Sequence, residues 1–552
     1  MISTTRYWFY LALIVLVYII GMFVTLMEND SAQFAVMAMR MVQENDFLSL
    51  FKGPEEYLDK PHMHYWLAAL SYKLFGIHDW AYRIPGILSA LLAAYSCYGL
   101  GKLLYNKDVG RLASLIFMTA QTIVLANIDV RTDAVLTGFA IFSIWQLVTY
   151  VEKNTLKSIA LGAFGAGMAF STKGQIALVV IGISLFCHLA YTRKWQSLLH
   201  WKVLVAILVF ALTISPMLYA YYHQFDLHPE KVIRGKDNRS GIFFIFWEQS
   251  FERMSGEGIG KNSSDFFFFF HTFLWVFLPW TVLALLGYWM KVKAFWKIKF
   301  AYRPNMEFLT VGGISILFLL ISFAQFKLPH YMNILMPLYA ILSAGFLYML
   351  HQKEQKSTAK VILGIPYFIL GLVVVFILLI SFLVFNLEHW YGYVLLLLAI
   401  GIVGYLISQK DAPYTKIATV ALLSSVLLNG FMNAHFYPEL LEYQGGSNMA
   451  AIVQEQQIPV DRIYKISERY SWSLDFYNKK PVQITSLDEI ANKSDVWVYA
   501  TDDELQQLKQ KGVTWDNQIT VDQFRITRLQ IKFLNPNTRE EKLNHMHLVH
   551  LD

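Results

Sequence analysis

Long apolar stretches recur along most of this chain and constrain its fold more than any other feature. From residue 7 to about residue 434 there are about thirteen of them, each close to the ~20 residues that an α-helix needs to cross a bilayer. Of the 552 residues, 56% are hydrophobic and 16% are charged, whereas a soluble chain carries about 25% charged residues. The sequence therefore predicts a polytopic α-helical membrane protein. The expected spans are 7–26, 82–101, 112–128, 134–151, 158–172, 175–192, 203–222, 266–290, 308–326, 332–350, 361–385, 391–408 and 414–434.

The Lys and Arg residues between these stretches predict how the chain is oriented. Cytoplasmic connections of membrane proteins carry an excess of Lys and Arg. Here the cations gather in every second connection if Arg6 and the N-terminus are cytoplasmic. An odd number of spans then places the C-terminus outside. These loops account for the net charge of +6, so we do not expect nucleic-acid binding.

The long connections all lie on the predicted outer face. Residues 27–81 and 223–265 connect spans there, while every cytoplasmic connection is too short to fold into a catalytic domain. The sequence contains no glycine-rich nucleotide-binding motif. We therefore expect the catalytic part to be residues 1–436, with the active site in the two outer loops and a substrate delivered through the membrane.

Residues 437–552 form a tail of different composition. Short runs rich in β-branched and aromatic residues, at 496–500 and 524–529, predict strands. Thr501 and Glu504 form a capping box that opens a helix. Because the tail contains no catalytic constellation, we expect an extracytoplasmic α/β domain that packs on the membrane part or docks an acceptor.

Asp30 and Lys60 are the first candidate site residues. Asp30 follows the first span, where partial desolvation suits a carboxylate to act as a general base; a solvated loop acid is the alternative interpretation. Lys60 is kept in a loop by Pro61 and is a compact cation suited to hold a phosphate. Residues 34–41, between them, form an amphipathic segment that is predicted to lie flat on the membrane surface.

Further charges stand at the outer ends of later spans. Lys173 and Lys327 are cations on the predicted outer side, against the usual charge bias, and together with Lys60 they indicate an anionic ligand. Asp133 closes a short outer loop, residues 127–133, that carries three charges within five residues. Charged residues at this depth in a membrane are often functional. The alternative interpretation is that they only mark a loop.

A metal site is a further candidate in the first outer connection. Asp59, His62 and His64 offer a carboxylate and two imidazoles close together in the sequence. Their spacing matches no established zinc pattern, and histidines are common at membrane interfaces. A divalent metal bound at Asp59 is therefore one expectation, and ordinary interfacial side chains without a metal are the alternative.

Several segments recur in the order and spacing of a known family. They are DSAQFA at 30–35, YLDKP at 57–61, AYRIP at 81–85, TKG at 172–174, LPW at 278–280 and KLPHY at 327–331. These segments resemble the bacterial GT-C glycosyltransferases, in particular the aminoarabinose transferases of lipid A and their relatives, the protein O-mannosyltransferases. The resemblance covers the membrane part to about residue 350. The family has an arginine where this sequence has Gln33, and a second proline where it has His62.

The resemblance implies roles for individual residues. It makes Asp30 the catalytic aspartate of the first outer loop and places Asp133 at a second acidic position. Lys60 and Tyr331 correspond to contacts of the donor phosphate, and Asp59 corresponds to an acidic metal ligand. The further expected phosphate contacts are Arg83, Lys173 and Lys327.

The resemblance also implies an architecture and an activity. The architecture is about thirteen transmembrane helices with an outer α/β domain. The activity is sugar transfer from a polyprenyl-phosphate donor, such as an undecaprenyl phosphate, to a lipid A-type glycolipid by inverting single displacement. A protein hydroxyl is the alternative acceptor. A lipid-linked-sugar flippase without catalysis is the alternative of another class, but few charges lie within the spans and no internal repeat is clear, which favours the enzyme.

Overall fold

The computed structural model describes residues 2–255 and 265–552 and contains the predicted bundle of apolar helices. Within these residues, nine helices are long and apolar enough to span a membrane, or ten if a pair bent by 119° is one broken span. The polytopic α-helical fold is thereby confirmed. The nine helices are Thr4–Met22, Asp79–Leu104, Thr132–Lys153, Gln175–Thr192, Lys202–Asp226, Pro329–Gln352, Lys356–Val384, Trp390–Ser408 and Pro413–Leu441.

The other predicted spans fall on shorter or broken helices. The bent pair breaks at Pro279, which has no N–H to continue a helix. The predicted number of about thirteen is reached only when these elements are counted with the long helices. They are Lys107–Met118 with Gln121–Leu125, Leu156–Lys173, Phe268–Val276 with Thr281–Lys297, and Leu309–Phe323.

The first long connection, predicted to be on the outer face, folds into two helices, Asp30–Gln43 and Met63–Phe75. Residues 34–41 do not lie on a membrane surface as predicted, because the first helix is buried on nearly all sides within the protein. Its apolar side chains share one core cluster with Tyr65 of the second helix and with Trp472 of the tail. The strands of a short antiparallel hairpin between the two helices are Phe51–Lys52 and Glu55–Glu56.

The tail contains a five-stranded mixed sheet, in agreement with the predicted α/β domain. The strand expected at 496–500 is present, and Thr501 and Glu504 form the expected capping box. The strand expected at 524–529 is wrong: the chain there forms a 3₁₀ turn, Ile526–Arg528. The strand order is Gln483–Ile484, Ile463–Lys465, Val496–Thr501, Asn544–Leu551 and Asn517–Gln523, with the first two pairings parallel and the last two antiparallel.

Shorter helices complete the second long connection and the tail domain. In the described part of the second outer connection they are Gly241–Phe243, Phe244–Glu248 and Gln249–Ser255. Around the sheet they are Gly445–Glu455, Trp472–Tyr477, Leu487–Ile490, Asp502–Gln510 and Ile531–Leu534.

The tail domain is fixed directly to the segment that precedes Asp30. The buried carboxylate of Glu28 accepts hydrogen bonds from the Ser473 N–H at 2.6 Å and the Ser473 hydroxyl at 2.7 Å. The Leu26 N–H donates to the Tyr477 hydroxyl at 2.9 Å. The helix that carries Asp30 is therefore held by the membrane part on one side and by the tail domain on the other.

Candidate active site

A polar cavity of about 210 Å³ lies where the ends of several helices and the first outer connection meet. Distant segments of the sequence contribute to it, and six of the predicted site residues line it. The cations of the cavity suit an anionic ligand, and its carboxylates suit the removal of a proton from a second reactant. The six residues are Asp30, Asp59, Lys60, Asp133, Lys173 and Tyr331.

Asp133 and Lys173 form the buried ion pair of this cavity. Lys173 is the last residue of its helix and Asp133 lies in the first turn of another. Their charged atoms, Nζ and Oδ1, are 2.6 Å apart. The ammonium group also lies 4.7 Å from the ring centroid of Tyr331, a cation–π distance. The other carboxylate oxygen of Asp133 is 3.7 Å from His330 Nε2.

Asp30 is held by an arginine that the sequence analysis did not select. Arg131 Nη1 donates to Asp30 Oδ2 at 2.6 Å, and its other nitrogens donate to Asp129. The signal was present in the charged loop 127–133, but no sequence pattern indicated which carboxylate the guanidinium would bind.

An apolar groove of about 440 Å³ opens into the polar cavity. The two spaces share Asp133, Lys173 and Tyr331 in their walls. The groove therefore combines a mainly apolar lining with a cation and a tyrosine that it shares with the polar cavity. Its apolar lining includes Leu136, Ile176, Val179, Phe251, Leu320 and Phe323.

Two predicted phosphate contacts lie outside these spaces. Arg83 is fully buried and donates to the carbonyls of Ile128, Met22 and Thr25 at 2.9–3.3 Å. This corrects its expected placement, since its guanidinium binds backbone carbonyls at the end of the first helix and in the loop 127–133. Lys327 is also buried and donates to the Asp265 carbonyl at 2.9 Å, without lining the cavity or the groove.

The residues around Asp59 do not fit a divalent cation. The Asp59 carboxylate forms an ion pair with Arg234, and a guanidinium competes for the same oxygens. His62 is buried, its Nε2 donates to the Leu48 carbonyl, and burial lowers the pKa of the imidazole to about 4. In the described ranges, the single group of three side chains spaced for a metal lies in the tail domain, at Asp516, His550 and Asp552.

Comparisons with known proteins agree with this fold. The profile of the family described as "Dolichyl-phosphate-mannose-protein mannosyltransferase" matches residues 59–219. An undecaprenyl phosphate-aminoarabinose arabinosyl transferase of Proteus mirabilis is 28% identical over 405 residues, covering 70% of this chain and 69% of the relative. One of Photorhabdus laumondii is 24% identical over 430 residues, covering 75% and 72%.

Solved structures show the same fold. The crystal structure of ArnT from Cupriavidus metallidurans bound to undecaprenyl phosphate matches with a TM-score of 0.75 and 16% identity, covering 99% of this chain and 98% of that one. The oligosaccharyltransferase of Archaeoglobus fulgidus matches with a TM-score of 0.50 and 10% identity, covering 91% and 70%.

The fold defines a multi-pass membrane protein with the GT-C type of architecture. Within that class, the resemblance predicted from the sequence motifs is confirmed. The chain is similar to the bacterial aminoarabinose transferases and to the protein O-mannosyltransferases.

Proposed function

We propose that this protein transfers a sugar from a polyprenyl-phosphate donor to a lipid A-type glycolipid at the periplasmic face of the inner membrane. One observation carries the proposal: the apolar groove and the cation-lined cavity share Asp133, Lys173 and Tyr331 in their walls. A ligand that spans both must have a hydrocarbon tail and an anionic head. The names of the relatives, which specify an undecaprenyl phosphate donor, support the same class of ligand.

The donor phosphate is expected at the junction of the groove and the cavity. Lys173 and Lys60 would neutralise the charge that develops on the phosphate as it leaves, and the hydroxyl of Tyr331 would donate to it. Asp133 acts through Lys173, because their ion pair fixes the ammonium group at the end of the groove. No step needs a metal, and the pairing of Asp59 with Arg234 supports that.

Asp30 is the proposed general base. Arg131 holds its Oδ2, while Oδ1 accepts no hydrogen bond from any residue in 2–255 or 265–552. The acceptor hydroxyl would lose its proton to this oxygen as its own oxygen bonds to the anomeric carbon. The bond from that carbon to the phosphate oxygen breaks on the opposite face, so the configuration inverts and polyprenyl phosphate leaves with the electron pair.

The identity of the transferred sugar is the finer part of the proposal. The relatives are named for aminoarabinosyl transfer, so a pentosyl donor is the first to test and a hexosyl donor the second. The match to the mannosyltransferase profile at residues 59–219 supports a protein hydroxyl as the second candidate acceptor.

Transfer by the purified protein tests this function. Undecaprenyl phosphate carrying aminoarabinose or a hexose is incubated with lipid A or with a Ser/Thr-rich peptide, and products are identified by mass spectrometry. We expect glycosylated lipid A, and loss of it in Lys173→Gln but not in the surface variant Lys157→Gln. A glycosylated peptide alone would replace the glycolipid proposal, and donor translocation without any product would replace the enzyme by a flippase.

We further propose that the N-terminus is cytoplasmic and the tail domain periplasmic. Single cysteines introduced as Lys493→Cys in the tail domain and Glu354→Cys in a predicted cytoplasmic connection report sidedness in intact cells. A membrane-impermeant maleimide should label only the first. Labelling of Glu354→Cys alone would reverse the orientation.

A further inference from the structure

Two segments rich in cations and aromatic residues meet at the end of the helix bundle that lies away from the polar cavity. The first segment, residues 193–202, follows the helix Gln175–Thr192. The second, residues 289–303, comprises the last turns of the helix Thr281–Lys297 and the turn after it. We call the surface that they form the basic patch. Its exposed cations are Arg193, Lys297, Lys299 and Arg303.

The basic patch and the polar cavity lie at opposite ends of the same helices. The helix Thr132–Lys153 begins with Asp133 in the cavity, and its 22 residues carry the chain about 30 Å to Glu152. There the Glu152 carboxylate accepts from Lys194 of the first segment at 2.5 Å. In the proposed orientation, this end of the bundle faces the cytoplasm.

Tyr191 holds the two segments of the basic patch together. Its hydroxyl accepts from the Arg303 N–H at 3.0 Å and donates to the Ala301 carbonyl at 3.4 Å. Its ring packs against Phe295, with the ring centroids 5.2 Å apart. Because Arg193 follows Tyr191 by two residues, the cations of both segments belong to one surface.

The charges of the basic patch are not neutralised from within the described part of the chain. There, no residue forms a side-chain hydrogen bond or an ion pair with any of the four cations. Neither segment contains an acidic residue. Other cations at the same end of the bundle are paired, Arg6 with Asp411 and Lys291 with Glu307. The basic patch is therefore suited to an anion from outside the chain.

Large apolar side chains are exposed beside these cations. Trp195, Leu199 and Trp201 in the first segment are 42–88% exposed, and Trp296 and Phe300 in the second are 77% and 52% exposed. Tryptophan is favoured at the level of the lipid headgroups, and basic residues next to a membrane span attract anionic lipids. The combination indicates a ligand with a negative headgroup and apolar chains.

We propose that the basic patch is a binding site for an anionic phospholipid, whose acyl chains lie along the exposed aromatic residues. Arg193 and Arg303 offer paired N–H groups to the phosphate oxygens, and Lys297 and Lys299 act as point charges. A zwitterionic phospholipid carries its own compensating cation and binds more weakly. The lipid is not a substrate here, because the patch is separate from the groove and the polar cavity; it stabilises the helix ends that meet at Tyr191.

Lipid binding by the purified protein tests this site without measuring transfer, so its outcome is independent of the proposed function. Native mass spectrometry of the delipidated protein compares phosphatidylglycerol with phosphatidylcholine of the same acyl chains. We expect the wild type to bind phosphatidylglycerol with a Kd lower by about tenfold or more, the effect of losing one or two charge-assisted contacts. Its melting temperature should rise with the concentration of phosphatidylglycerol.

A patch variant and a matched control separate this site from positive charge in general. The patch variant should bind both lipids with the same weak affinity, and without added lipid it should melt like the wild type. The control removes four exposed lysines from other connections at the same predicted face and should keep the wild-type preference. The patch variant is Arg193→Gln/Lys297→Gln/Lys299→Gln/Arg303→Gln, and the control is Lys353→Gln/Lys356→Gln/Lys360→Gln/Lys410→Gln.

Three results would overturn the inference. They are equal binding of the two lipids by the wild type, an unchanged preference in the patch variant, and an equal loss in the control. If the patch variant does not fold, the wild type decides: phosphatidylglycerol with a photoreactive acyl chain should label Trp195, Leu199 or Trp296, in competition with unlabelled phosphatidylglycerol but not with phosphatidylcholine. Competed labelling confined to other surfaces would contradict the site.

Discussion

Lys173 Nζ lies 2.6 Å from Asp133 Oδ1, and this ion pair joins two helix ends that are 40 residues apart in the sequence. Asp133 is 2% exposed and Lys173 is 9% exposed, so neither charge has much water to replace its partner. The pair thus sets the position of the cation where the apolar groove opens into the polar cavity. Its integrity is expected to matter for both folding and donor binding.

Asp133→Asn should therefore destabilise the protein, because it leaves the ammonium of Lys173 buried without its counter-charge, at a cost of about 3–5 kcal/mol. Asp133→Asn/Lys173→Gln should recover most of that stability but none of the transfer activity. Melting temperatures in detergent and transfer rates measure the two effects. Equal destabilisation of both variants would contradict the coupling.

Asp30→Asn should lower the transfer rate about 10²–10⁴-fold, the usual contribution of a general base. Its amide keeps the size of the carboxylate, so donor affinity and melting temperature should hardly change. Arg131→Met should reduce kcat by removing the group that positions Asp30, and Arg131→Lys should restore part of it. An active Asp30→Asn would exclude Asp30 as the base.

Arg83 should behave as a structural residue. Arg83→Gln replaces the guanidinium by one amide NH₂, which can donate to at most two of the carbonyls of Met22, Thr25 and Ile128, and each buried carbonyl left unsatisfied costs about 1–3 kcal/mol. We expect a lower melting temperature and an unchanged donor KM in the protein that folds. Arg111→Gln, at a less buried position, is the matched control. A raised donor KM at normal stability would return Arg83 to the phosphate site.

Glu28 should make stability depend on pH. Burial raises the pKa of this carboxyl to about 7, although hydrogen bonds from Ser473 lower it. Between the ordinary pKa of 4.5 and about 7, the unfolded chain releases a proton that the folded protein retains, so stability falls as the pH rises through this window. The difference amounts to roughly 3 kcal/mol.

Glu28→Gln removes this titration and keeps an acceptor for Ser473. Its melting temperature should change less between pH 5 and pH 8 than that of the wild type. The exposed control Glu55→Gln should follow the wild type. An identical pH profile in Glu28→Gln would show that Glu28 does not titrate in the window.

Chelation tests the metal expected at Asp59. Because Arg234 already pairs with this carboxylate, dialysis against EDTA should leave the transfer rate within about twofold of the untreated enzyme. Asp59→Asn should instead act through the loop that carries Lys60, raising the donor KM. Loss of activity on chelation, with recovery on adding a divalent cation, would support the metal ligand that the resemblance implied.

Sequence patterns predicted where the helices lie, but they did not always predict what packs against them. The apolar stretches fell on helices because burying backbone polar groups in lipid leaves few other structures. The predictions for segments 34–41 and 524–529 were wrong for a common reason. A local pattern of apolar residues describes one face of an element and not what covers its other faces. The first became a fully packed helix because Trp472 and Tyr65 cover it.

The residues of the site were likewise predicted only in part. Asp30, Lys60, Lys173 and Tyr331 were selected because charges or polar groups stand at span ends, and the fold brings them into one cavity. Arg131 was missed because a guanidinium next to Asp129 looks like a local pair. Arg83 was misplaced because nothing in a sequence distinguishes a cation that binds backbone carbonyls from one that binds a ligand.

The most direct test of the account is where a polyprenyl chain binds. A polyprenyl phosphate with a photoreactive group in its chain is cross-linked to the purified protein, and the adducts are mapped by mass spectrometry. We expect adducts in the groove that ends at Lys173, on residues such as Ile176, Val179 and Leu320, and their loss on competition with unlabelled undecaprenyl phosphate. Competed adducts confined to the separate apolar cavity at Leu278, Ile369 and Phe376 would contradict it.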